Sequence, residues 1–243
     1  MTSAELGRTA FVFLNESASR RPRPSMAYQQ DLFQAPADAA QASAAGKTSL
    51  SGVRDSARDC RACPLWKGAT QTVFGEGPSD ASLLFVGEQP GDAEDIAGRP
   101  FVGPAGRIFD RALVEAGIER KDVYVTNAVK HFKFEQRGKR RLHKRPDTRE
   151  IEICRWWISR ELDLIEPDLV VALGATAARS LAGRPMPIER SRGELMPLGS
   201  NGARMLITVH PSYLLRLREE EDREREYGRF VDDLKLVASA QKR

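Results

Sequence analysis

Four short apolar runs punctuate the chain, at residues 82–86 (SLLFV), 122–126 (DVYVT), 168–173 (DLVVAL) and 205–209 (MLITV). Each has the length of a strand and is bounded by turn-forming or polar residues. Between them, at 105–116, 148–165 and 176–181, the pattern reads as helix. Short strands alternating with helices predict a parallel sheet covered on both faces. The expected fold class is therefore α/β: a three-layer α/β/α sandwich with a central four-stranded parallel sheet. A charged final segment, 219–238, carries Tyr227, Phe230, Val231 and Leu234 at helical spacing and predicts a closing amphipathic helix.

The pattern fades towards the N-terminus. Residues 1–48 are rich in Ala, Ser, Gln, Arg and Pro and show no sustained apolar period, so they are read as a disordered extension. The domain then occupies 49–243, opening with a helix-compatible stretch that Pro64 interrupts. At 243 residues, one core with tails is expected rather than two domains. No apolar stretch approaches the roughly 18 to 20 residues of a membrane span, and the first residues make a poor secretory signal. The expectation is a cytoplasmic monomer with no membrane partner.

Each strand is followed by an unusual polar segment: GEQPGD, TNAVKH, GATAA and HPSY, in chain order. All four fall at carboxyl ends of parallel strands, the edge where open α/β sheets bind ligands. Asn127 there offers the paired donor and acceptor that reads a base edge, or simply caps a turn. Glu88 stands where a carboxylate could orient a histidine or a water, and His210 precedes a proline at the last strand end. Phe101, in a loop beside that edge, is a core aromatic by default and a stacking surface for a base otherwise.

Charge sharpens this picture. The net charge is +4, yet residues 130–150 alone hold nine Lys/Arg against three acids, so the rest of the chain is slightly acidic. The run 139–144 (KRRLHK) is the densest part, and clustering of this kind suits phosphate contact. Only three cysteines are present: Cys60 and Cys63 in a CxxC turn, and Cys154 far downstream. They are either buried small hydrophobes or metal ligands. In the second case a histidine could supply the fourth ligand, His131 if its loop comes near, giving a Cys₃His zinc site or an iron-sulfur cluster.

Together these segments resemble the uracil-DNA glycosylase superfamily, specifically its iron-sulfur branch, over about residues 59–230. GEQPGDAEDIAGRPFVGPAGR is similar to that family's first active-site motif and VHPSYLLR to its second. Within the branch the sequence resembles the subgroup called UdgX: His131 stands where ordinary members have a cluster cysteine, and KRRLH looks like the subgroup's insertion, with Leu142 in place of its usual isoleucine. The resemblance implies a 4Fe-4S cluster on Cys60, Cys63, His131 and Cys154. It also implies substrate contacts from Gln89, Asp92, Phe101 and Asn127, and DNA contacts from Lys139, Arg140 and Arg141.

The implied chemistry is uracil excision. A flipped or single-stranded uracil enters a close pocket, the glycosidic bond lengthens, and His210 stabilises the charge growing on the departing base. His143, oriented by Glu88, then takes the sugar cation before water does, giving a covalent histidine-sugar adduct with uracil-containing DNA, expected to be single-stranded, with duplex as the alternative. Two rival readings keep the fold: an ordinary multiple-turnover glycosylase, and a cluster- or zinc-stabilised DNA-binding module without catalysis.

Overall fold

The computed structural model describes residues 37–199 and 202–241. Most of the extension therefore lies outside the described residues, but its last part does not. Asp38 caps a helix, α1 (Ala39–Ala45), by accepting from Gln41 N. Ala40 and Ala44 are buried in the same core as Val53 of α2 (Leu50–Ala57). The carboxylate of Asp38 also accepts from Arg61 N at 2.5 Å, tying this helix to the CxxC turn. Residues 39–45, expected to lie in the extension, thus form a helix packed on the domain. An alanine-faced helix buries its backbone against neighbours without large side chains, so it leaves no apolar period in the sequence.

A single 3-10 turn (Pro64–Lys67) leads into β1 (Leu83–Gly87), followed by α3 (Asp92–Ala97), α4 (Pro104–Glu115) and β2 (Tyr124–Asn127). A hairpin of β3 (Phe134–Arg137) and β4 (Arg140–His143) precedes the long α5 (Thr148–Ile165). Then come β5 (Leu169–Leu173), α6 (Ala175–Ala182), α7 (Ile188–Ser191), β6 (Leu195–Pro197), β7 (Arg204–Thr208), α8 (Pro211–Leu214) and α9 (Glu220–Gln241). The spatial order of the sheet is β2-β1-β5-β7-β6. Its first four strands are parallel, and successive residues of each point to opposite faces.

That alternation builds two cores. Leu84 and Val86 pack on the α5 side with Tyr124, Trp157, Ile158 and Leu162, whereas Leu83 and Phe85 pack on the α4 and α9 side with Phe109, Leu113, Phe230 and Leu234. The three-layer sandwich is as expected. The count of strands is not: β6 adds a fifth, antiparallel to β7, so the sheet is mixed. Three residues with an exposed Leu195 and a terminal Pro197 carry no strand signal, and proline is tolerated there because the strand is an edge. The basic run also forms strands, with Phe134 paired to His143 and Gln136 to Arg141 across a turn where Gly138 takes φ +57.

Candidate active site

A cleft of about 1090 Å³ opens over the carboxyl ends of the parallel strands, and Glu88, Phe101, Asn127, His143 and His210 all line it. Its floor is shaped by glycines. A Cβ on Gly87 would sit 2.3 Å from Asn127 Oδ1 and 2.8 Å from the Phe101 ring. A Cβ on Gly106 would meet the Phe101 carbonyl oxygen at 1.8 Å. Phe101 itself is held at φ +59, a left-handed conformation that a bulky side chain adopts only when its surroundings impose it. The imposition is visible: the ring lies on Phe109, with centroids 5.1 Å apart, and faces His210 at 6.1 Å with the planes 31° from parallel. Asn127 is 2% exposed and ends β2 beside Gly87.

His210 caps α8, and its Nδ1 accepts from Ser212 N at 3.1 Å. An accepting Nδ1 leaves the proton of a neutral ring on Nε2, so the other edge is a donor. Burial pushes the pKa of His210 down to about 4, and the charges of Arg216 and His143 act in the same direction. It is therefore a neutral hydrogen-bond donor at neutral pH.

His143 reaches the same cleft from the hairpin. Because residues alternate along β4, Arg141 and His143 share one face and Arg140 and Leu142 the other. His143 Nε2 stands 3.4 Å from Glu88 Oε1. Glu88 is itself fixed, its other oxygen accepting from Thr176 Oγ1 at 2.8 Å and lying 3.6 Å from Arg145 Nε. Burial lowers the pKa of His143 below the ordinary imidazole value; Glu88 opposes that shift, and Arg216 and Arg145 reinforce it. The cations that favour the neutral ring are these two arginines, not the ones at the hairpin tip.

Three residues of the expected site have partners within the protein. Gln89 is 6% exposed, and its side-chain amide donates to the carbonyls of Lys133 and Lys144 and accepts from Lys133 N. It clasps the two ends of the hairpin, so its side chain is occupied rather than presented to a substrate. Arg141 is anchored within the protein: Nε donates to Asp92 and Nη1 to Asp95, both at 2.6 Å, and the guanidinium lies over Phe132 and Phe134. Asp92, though it lines the cleft, is the other half of that anchor. Lys139 and Arg140 are exposed at the hairpin tip.

The three cysteines are buried together on the α5 side, and each carries N–H contacts. Trp157 Nε1 donates to Cys60 Sγ at 3.3 Å and Lys130 N to Cys154 Sγ at 3.2 Å. Burial drives the Cys60 thiol up to about 11 and pushes that of Cys154 well above its ordinary value, each raised further by the charge of its neighbouring cysteines. His131 is buried nearby with its pKa pushed down to about 4, its Nε2 paired to Thr72 Oγ1 at 2.9 Å. Among the described residues no group of three such side chains stands at ligating spacing. The donor set nevertheless fits a cluster: three soft sulfurs and a neutral imidazole, with N–H groups aimed at the sulfurs that would carry charge as thiolates.

Sequence reasoning misses Thr176, Arg145, Ser212 and Arg216 here. Only the last two share a motif with a residue it singles out, in HPSYLLR.

The Uracil DNA glycosylase superfamily matches residues 74–235. The Type-4 uracil-DNA glycosylase of Thermotoga maritima is 41% identical over 171 residues, 70% of this chain and 84% of that protein. Those of Saccharolobus solfataricus and Archaeoglobus fulgidus are 34% and 35% identical over 170 residues each, covering 67% and 66% of this chain and 76% and 82% of theirs.

Proposed function

The chain belongs to the uracil-DNA glycosylase superfamily, and on that premise we propose that it excises uracil from DNA and is then captured by its product through His143. The observation that carries the second half is the pair of imidazoles in one cleft: His210, whose accepting Nδ1 leaves Nε2–H as a donor, and His143, held 3.4 Å from the Glu88 carboxylate.

The roles follow from that geometry. A flipped or single-stranded uracil lies on the Phe101 ring and meets the Asn127 amide at the floor. As the glycosidic bond breaks, its electron pair leaves with the base, and the His210 Nε2–H stabilises the negative charge. The sugar is left as an oxocarbenium ion. A ring nitrogen of His143 donates its lone pair to C1′, forming the new C–N bond. The imidazole N–H proton passes to Glu88, so the adduct ends neutral. Neutrality of His143 before attack is essential, because a protonated ring has no lone pair to give.

Cys60, Cys63, Cys154 and His131 would hold the iron-sulfur cluster that the resemblance implies. Such a cluster would brace the CxxC turn, the exit of β2 and α5 against one another; it takes no part in the steps above.

The test is a denaturing gel of the protein mixed with uracil-containing single-stranded DNA. A protein-DNA band that survives boiling in detergent is expected from the wild type. His143→Ser is expected to lose that band and release free uracil and abasic DNA instead. An undiminished band in His143→Ser overturns the capture role, and absence of both band and free uracil in the wild type overturns the glycosylase reading.

A further inference from the structure

Beneath the cleft, Lys130 and Glu161 form an ion pair in which neither side chain is exposed, with Nζ and Oε2 2.6 Å apart. The ammonium has three donors and all are used: to Glu161, to Thr126 Oγ1 at 2.6 Å and to the Asn127 carbonyl oxygen at 3.0 Å. Glu161 is equally occupied, accepting through Oε1 from Gly75 N, Tyr124 OH and Thr126 Oγ1. A buried pair of this kind is no better for stability than well-packed apolar groups, so its worth lies in the geometry it fixes. That geometry is specific. Lys130 curls back beneath its own turn and grips the peptide of Asn127 from below, while Ala128 N and Val129 N bond to the carbonyls of Gly87 and Glu88 at 2.9 and 3.0 Å. The turn that carries the floor residue is thus also bonded to the backbone of Glu88, whose carboxylate faces His143.

We propose that Lys130 is a positioning residue for uracil excision: its ammonium, held by Glu161, fixes the Asn127 peptide and so keeps the Asn127 side chain at the cleft floor. The inference rests on Asn127 contacting the base, as in the function proposed above. Lys130 does not reach the cleft itself and acts through Asn127. Its main-chain bonds are separate, N–H to Cys154 Sγ and carbonyl to Val73 N, and survive any side-chain substitution.

The test uses the full chain with Lys130→Met, and with Lys130→Met/Glu161→Gln, which removes both charges yet keeps an acceptor for Gly75 N and Tyr124 OH. Should the single variant fail to fold with Glu161 unpaired, the double variant carries the experiment. Single-turnover uracil release at saturating protein is expected to slow by about 10²-fold, the size of effect that small misplacements produce. The protein concentration giving half-maximal rate is expected to change little. In an Asn127→Ala background the same substitutions are expected to cause no further slowing; an equal slowing in both backgrounds overturns the proposal, as does an unchanged rate. Amide hydrogen exchange in DNA-free protein reads the same device without activity. Ala128 and Val129 are expected to exchange faster in the variants while β5 and β7 do not, and uniform exchange changes overturn it. If the wild type releases no uracil but the local exchange change is found, the functional reading fails and the fixing of the Asn127 peptide stands.

Discussion

His210 stands where the parallel strand β7 passes into α8, on the sheet that carries both cores, whereas His143 stands on an antiparallel hairpin outside that sheet. The first is positioned by regular structure: its neighbours are Gly174, whose Cβ would come within 3.1 Å of the His210 Cβ, and the Ser212 amide that fixes its tautomer. The second is positioned by side chains: Gln89 at the hairpin base, Arg141 between two aspartates, and Glu88 at the imidazole. The comparison separates two demands. A group that stabilises a leaving base must be in place when the bond lengthens, so it belongs on the stiffest support. A group that captures the sugar can arrive on an arm, provided the arm is tethered.

Substitutions can break the comparison in order of size. His210→Ala is expected to lower the single-turnover rate of uracil release by about 10²- to 10³-fold, as the loss of a well-placed transition-state donor does. Release and adduct should fall together, since capture follows cleavage; an adduct yield that survives with release abolished would separate them. Arg141→Met is next. Asp95 is fully buried and also accepts from Thr70 N, so removing its cation should cost about 3–5 kcal/mol of stability, read by denaturant unfolding. In the fraction that remains folded, adduct should fall relative to free uracil, because the hairpin loses its anchor while His210 keeps its place.

Acid sharpens the contrast without any substitution. His210 is pushed down to about 4, so it stays neutral until the pH approaches that value. His143 is also lowered, but Glu88 pulls it back upward. Protonation removes the lone pair of His143, so as pH falls adduct formation should decline first and uracil release later. Parallel acid limbs in stopped mixtures across the range would contradict the separate settings. Smallest is the tip: Lys139→Ala with Arg140→Ala should make the salt dependence of single-stranded DNA binding shallower by about 0.7 for each phosphate no longer neutralised, with no change in adduct yield at saturation.

How much of this the sequence reveals depends on what kind of burial each segment has. The four parallel strands are legible because they bury both faces, leaving runs that are mainly apolar. β6 is illegible because an edge strand of three residues has no such run, and α1 because alanine packing leaves no amphipathic stripe. The hairpin reads as a loop, since its residues are chosen for charge and its pairing depends on the folded chain around it. Asn127, Glu88 and His210 could be singled out by their places at strand ends and Phe101 by its loop beside that edge, and all four line one cleft. The work of Gln89 and Arg141 could not, because their partners lie 44 to 55 and 46 to 49 residues away in the chain. Lys130 reads as one more cation of the basic run; only its burial beneath Asn127 sets it apart.

The clasp at Gln89 has one more consequence. Lys144 N bonds to Lys133 O at 2.9 Å, so the stretch that bears His143 leaves the body of the protein and re-enters it at adjacent points. Such a stretch behaves as a cassette. It could be trimmed to a short turn without dragging α5 or β2 out of register, which under the proposed function leaves water as the acceptor for the sugar. Conversely, a glycosylase that releases its product could become one that keeps it by gaining a single folded insert, with no rebuilding of the chamber where the base is cut.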